Sequence, residues 1–92
     1  PADPAAFDRY YFATHVPLAK KIPGLARYAV SPGPVMTPAG PSPYHLIAVL
    51  AFRSMDALQS GLGSPEGTAT AADLANFAQA GVDLCFFDEK QV

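Results

Sequence analysis

The sequence predicts a ferredoxin-like α+β fold, βαββαβ, with an antiparallel sheet and its helices on one face. Three observations lead there. Periodic segments along the 92 residues run helix, strand, strand, helix pair, strand, which completes βαββαβ if one more strand precedes Asp3. The last two strand-like segments are apolar on both faces, whereas an antiparallel sheet usually leaves one face wet unless something packs on it. Half of the residues are hydrophobic and 15% are charged, below the roughly 25% typical of soluble domains, so the surface calls for a partner and a second copy is the simplest one. The expectation is one domain over residues 1–92, a first strand immediately upstream of Pro1, and a homodimer formed through the helix-free sheet face: a dimeric α+β barrel.

The first helix opens at Asp3 and Pro4, a capping carboxylate followed by a residue with no N–H to leave unsatisfied. At 100° per residue, Phe7, Tyr11, Leu18 and Ile22 form one apolar stripe, with Tyr10 and His15 on its flanks. Pro17 removes the hydrogen bond to the carbonyl of Ala13, which predicts a kink or a break just after His15. Lys20 and Lys21 sit at the negative pole of the helix, and Pro23 with Gly24 stops it. Leu25 to Val30 reads as a short strand closed by Ser31-Pro32-Gly33-Pro34. Pro32 to Pro43, with five prolines and two glycines, is a loop whose prolines restrict it. Tyr44 to Phe52 reads as a strand covered on both sides.

Ser54 caps a helix to Leu62 that buries Met55, Leu58 and Leu62. Pro65 opens a second helical piece to about Ala78, with Ala69, Ala72, Leu74 and Phe77 as candidates for burial and Asp73 and Asn76 left wet. Val82 to Glu89 is the final strand. No internal repeat, heptad or low-complexity tract is present.

Composition excludes several classes of function. Six basic residues and a net charge of -2 leave no footprint for nucleic acid, and no apolar run is long enough to cross a membrane. One cysteine, Cys85, cannot form an internal disulfide, and nothing reads as a targeting segment, which fits a reducing cytoplasm. Two isolated histidines without a cysteine or paired carboxylates at ligand spacing argue against a metal site.

The run Phe7-x-x-Tyr10-Tyr11-x-x-x-His15-x-Pro17-Leu18-x-x-x-Ile22-Pro23-Gly24-Leu25-x-x-Tyr28 resembles the opening motif of the EthD family, named after a protein of ethyl tert-butyl ether degradation. Phe52-x-Ser54-Met55-Asp56-Ala57-Leu58, the Ser64-Pro65-Glu66-Gly67 turn and Asp73-Leu74-Ala75-Asn76-Phe77-Ala78 are similar to its second half. The resemblance covers nearly the whole chain. It implies a dimeric α+β barrel, usually cofactor-free, with a pocket between the helices and the sheet. It leaves the reaction open, since relatives range from an accessory protein of ether breakdown to an isomerase and to enzymes modifying aromatic polyketides. The proline-rich insertion before Tyr44 departs from the pattern at the rim of that pocket.

Histidine titrates near neutrality, so His15 at the helix bend and His45 at the start of the long strand are the candidate acid–base residues, able to meet in one cavity if the helix lies on the face His45 points to. The plainer readings are that His15 caps carbonyls freed by Pro17 and that His45 is a wet strand-edge residue. Tyr11, Tyr28, Leu18 and Phe77 are candidates for lining a substrate pocket, Tyr11 with a hydroxyl for a substrate oxygen; each also reads as ordinary packing. Cys85 reads as an inert small hydrophobe. Relatives of this barrel bind haem, but one histidine ligand is a poor warrant for it here. The functional expectation is a cofactor-independent enzyme or accessory enzyme, of oxidoreductase or isomerase type, acting on a small hydrophobic or aromatic metabolite. The alternative is a non-catalytic binding or scavenging protein that serves an oxygenase.

Overall fold

Capping chemistry sets the helix starts. The computed structural model describes residues 1–92. Asp3 Oδ1 accepts from the Ala6 amide at 3.1 Å and opens helix α1 (Pro4–Tyr10). The helix continues through one π turn (Tyr11–His15) into a short last piece, α2 (Val16–Ala19). It then tightens, Lys21 and Ile22 donating to the carbonyls of Leu18 and Ala19, and Gly24 turns the chain at φ +81°, a left-handed conformation that suits glycine. Strand β1 (Leu25–Val30) follows. Ser54 and Ser64 cap α3 (Met55–Gly63) and α4 (Pro65–Phe77) through the amides of Ala57 and Gly67.

Between β1 and α3 lie two very short strands, β2 (Met36–Thr37) and β3 (Gly40–Pro41), paired with each other within the proline-rich loop, and then β4 (Ala48–Phe52). β1 and β4 pair antiparallel, Tyr28 opposite Leu50 and Ala29 opposite Val49, with an irregularity between Leu25 and Arg27. The helices cover one face of this sheet, giving the ferredoxin-like α+β arrangement. Phe52 points to the helices, since its ring lies against Gly61 of α3 and near Gly24, and Leu50 and Tyr28 share that face by strand alternation.

Three expectations need correction. The strand expected from Tyr44 begins only at Ala48: β1 ends where Pro32 has no N–H to offer, and the last links are Ser31 N–H to the Ile47 carbonyl at 2.9 Å and Ile47 N–H to Ser31 Oγ at 3.0 Å. Within the chain the helices cover one of its faces, and Val49 on the other, where the sequence predicts a second copy, is 47% exposed. Val82 to Glu89 forms no strand; it finds no hydrogen-bonded strand partner, and Leu84, Phe86, Phe87 and Cys85 are exposed. On α4 the buried positions are Gly67, Thr70 and Asp73, not Ala69 and Ala72.

That rotation of α4 has a steric cause. A Cβ on Gly67 would collide with the Gly61 carbonyl oxygen and lie 2.5 Å from that of Leu62, and one on Gly61 would lie 2.6 Å from the Pro23 oxygen. Backbone meets backbone at this crossing, so the glycine edge of α4 must face inward, and Asp73, six residues on, is carried in with it.

Candidate active site

The π turn fixes which residues of the first helix face the sheet. Pro17 carries no N–H and its ring would collide with the Ala13 carbonyl in a regular α-helix. The helix answers by widening instead of breaking: the Val16 amide reaches back five residues to the Tyr11 carbonyl. A π turn amounts to one extra residue in the helical repeat. The inward stripe that enters at Tyr11 therefore leaves at Ala19, eight residues on, where an uninterrupted helix would bring Leu18, seven residues on. Tyr11, His15, Ala19 and Ile22 are buried, and Leu18 is half-buried beside them. His15 thus lies in the middle of the stripe, where the sequence placed it on a flank.

His15 is 6% exposed and meets a partner 58 positions away. Its Nδ1 lies 2.9 Å from Asp73 Oδ2, with the Asp73 side chain 7% exposed. An ionised carboxylate only accepts, so Nδ1–H is the donor and Nε2 keeps its lone pair when the ring is neutral. The other carboxylate oxygen, Oδ1, accepts from the Tyr10 hydroxyl at 2.5 Å and from the Asn76 amide at 3.0 Å. Burial pushes the Asp73 carboxyl up, but the hydrogen bonds from Tyr10, Asn76 and His15 outweigh it and hold the carboxyl below its usual range. The same bond to Asp73 is the main reason the Tyr10 phenol is raised.

Around this pair stand aromatic rings. Phe77 packs against His15, Tyr10, Tyr11 and Phe7, with ring centroids 4.7, 5.3, 5.8 and 5.2 Å apart. Tyr11 lies 5.3 Å from His15 and reaches the sheet, where its hydroxyl and that of Tyr28 are 2.6 Å apart. Burial, and then the bond to Tyr28, push the Tyr11 phenol far up; burial also raises Tyr28.

The second histidine is elsewhere. His45 precedes β4, bonds through Nε2 to Asp8 Oδ1 at 2.7 Å, and meets the Phe7 ring edge-on at 5.1 Å. From His45 the rings run through Phe7 and Phe77 to His15, so the two imidazoles make no ring contact with each other and each has its own carboxylate. His45 and Asp8 instead open onto a groove of about 510 Å³ between α1 and the proline-rich loop, walled also by Phe12 and Tyr44. This pair is partly exposed and contributes little to stability, on the order of 0–1 kcal/mol.

Of the residues singled out from sequence, the fold gathers His15, Tyr11, Tyr28 and Phe77 in one place and sets His45 apart. Asp73 was missed. Its signal is faint: an acid four residues before Phe77 and three before Asn76, on the helix edge that carries Gly67 and Thr70.

A small sheet covered on one side by helices, with a buried imidazole–carboxylate pair held among aromatic rings at their interface, defines a ferredoxin-like α+β protein with a candidate small-molecule site. The chain belongs to the EthD family, whose EthD domain matches residues 1–81. It is 46% identical over 92 residues, all of this chain and 88% of the other, to an uncharacterised 11.0 kDa protein encoded in the thcB-thcC intergenic region of Rhodococcus erythropolis. Its fold is similar to the crystal structure of an ethyl tert-butyl ether (EthD) family protein from Bacillus halodurans C-125, with a TM-score of 0.89 and 36% identity over 98% of this chain and 89% of that one.

Proposed function

We propose that this protein is a cofactor-independent enzyme that moves a proton on a small hydrophobic or aromatic metabolite, with His15 as the acid–base group. The observation that carries this reading is the buried His15–Asp73 pair. A carboxylate on Nδ1 selects the tautomer whose Nε2 can take a proton, and it stabilises the imidazolium that results. Asp73 is in turn fixed by Tyr10 and Asn76, a second layer of support that a mere helix cap does not require. Tyr11, Tyr28, Phe77 and Leu18 supply the apolar surroundings. His45, held by Asp8 on the other side of Phe7, has a supporting role at most. Proton transfer of this kind consumes no oxidant and points to an isomerase or tautomerase step in preference to a redox one. The family's name, from ethyl tert-butyl ether degradation, supports a catabolic setting, and the lone cysteine suits a reducing cytoplasm.

The test is proton exchange in deuterated buffer over a panel of small enolisable ketones, lactones and phenols, followed by NMR. Wild-type protein is expected to exchange a carbon-bound proton of at least one compound. His15→Ala should abolish that exchange while binding stays within about threefold, and Asp73→Asn should slow it by roughly 10²–10⁴-fold. Binding without exchange by the wild type would favour a scavenging role instead.

A further inference from the structure

We propose that the Tyr11–Tyr28 hydroxyl pair is the oxygen-binding element of the site, with Tyr28 donating to the oxygen of a small phenol or enolisable carbonyl compound. The proposal rests on the reading of His15 just given and names the substrate class that this reading leaves open. Two phenol hydroxyls carry two protons, yet these two share a single hydrogen bond, 2.6 Å long, and neither oxygen has another protein partner. One proton is committed between them. The other has no protein acceptor.

Burial decides which is which. Tyr11 is 4% exposed, and the only acceptor within its reach is the Tyr28 oxygen, so its proton goes there. Tyr28 is half-buried on β1, and its O–H is the one free to turn outward. A phenol that already accepts a hydrogen bond is a better donor, because the accepted bond stabilises charge building on its own oxygen. The arrangement therefore suits a ligand oxygen that carries or develops negative charge, as in a phenolate or an enolate. The His15 ring packs 5.3 Å from that of Tyr11, centroid to centroid, so the proposed acid–base group is an immediate neighbour of the hydroxyl pair. No lysine or arginine joins the cluster of rings, so a strongly held carboxylate or phosphate is not the ligand this site is built for.

The probe is para-nitrophenol, whose colour separates phenol from phenolate, with nitrobenzene as the same ring lacking the hydroxyl. Wild-type protein is expected to bind nitrophenol more tightly than nitrobenzene. Tyr28→Phe should weaken nitrophenol binding about tenfold or more and leave nitrobenzene unchanged. Tyr11→Phe, which removes only the donor to Tyr28, should weaken it about threefold. Tyr44→Phe, a hydroxyl deleted outside the cluster, should have no effect. Circular dichroism of each variant checks that it is folded. The proposal is overturned if Tyr28→Phe binds nitrophenol as the wild type does, or if the wild type shows no preference for nitrophenol over nitrobenzene. Exchange lost in His15→Ala alongside either result would leave the proton-transfer reading standing and remove only this assignment.

Discussion

Asp73 is the residue on which the site's chemistry and its stability meet. Its carboxyl sits below the range of an unfolded aspartate because three donors hold its ionised form. A carboxyl with a depressed folded pKa contributes stability above its unfolded value, about 4, and loses it as pH falls toward the folded value. Asp73→Asn is therefore expected to destabilise the protein by about 1–3 kcal/mol near neutrality and to flatten the decline of stability below about pH 4, both read from urea midpoints across pH. At the alkaline end the sign reverses. Tyr11 is raised far above an ordinary phenol, so its contribution is complete below about pH 10 and is lost as pH rises beyond that. Tyr11→Phe should cost about 1 kcal/mol near neutrality and show a shallower alkaline loss, checked by phenolate difference absorbance together with the unfolding midpoint.

The secondary-structure elements divide by how far their causes lie along the chain. Caps are local: Asp3 and Ser54 were legible because a short oxygen-bearing side chain before a helical pattern does the same thing in any fold, and Ser64 caps α4 by the same chemistry though only Pro65 was read as its start. Pro17 was legible as a disturbance, but a proline can be met by a break or by widening, and the choice depends on what the turn packs against. The inward turn of α4 was hidden because its cause is Gly61, six residues before Gly67 and on another helix. Asp73 followed it, a carboxylate whose burial makes sense only once His15 and Tyr10 are beside it. The crossing itself is open to test. Gly67→Ala must push α4 off α3, and a loss of at least about 2 kcal/mol is expected from such overpacking of backbone; Ala72→Gly on the exposed edge of α4 should cost only about 1 kcal/mol. Thermal or urea unfolding of the two variants gives the comparison.

For the whole molecule, the helices close one face of the sheet and leave the other bare. Val49 and Ile47 are exposed there and join Ala29, Val30, Pro34 and Val35 around an open apolar hollow of about 360 Å³. The sequence reading expected a strand covered on both sides, with a second copy on the helix-free face; strand alternation reports only that a face is apolar and says nothing about which chain covers it. We propose that a second copy does. Sedimentation of the wild type is expected to show a dimer, and Val49→Asp, a charge at the centre of that face, should yield a folded monomer; a monomeric wild type at high micromolar concentration would remove the barrel from consideration.

The π turn gives the molecule an unusual dependence on chain length. In most surface loops the loss of one residue is absorbed locally, but between Tyr11 and His15 the additional residue keeps two halves of one helix in phase. Removing Ala13 or Thr14 would shift the residues before Pro17 by one position relative to those after it, a swing of the leading half by about 100° around the axis. Phe7, Tyr10 and Tyr11 would turn away from Phe77 and Tyr28 while Ala19 and Ile22 stayed seated. A one-codon deletion, leaving every named side chain in the gene, would thus dismantle the site more completely than most substitutions, so the length of this segment is as much a part of the site as its side chains.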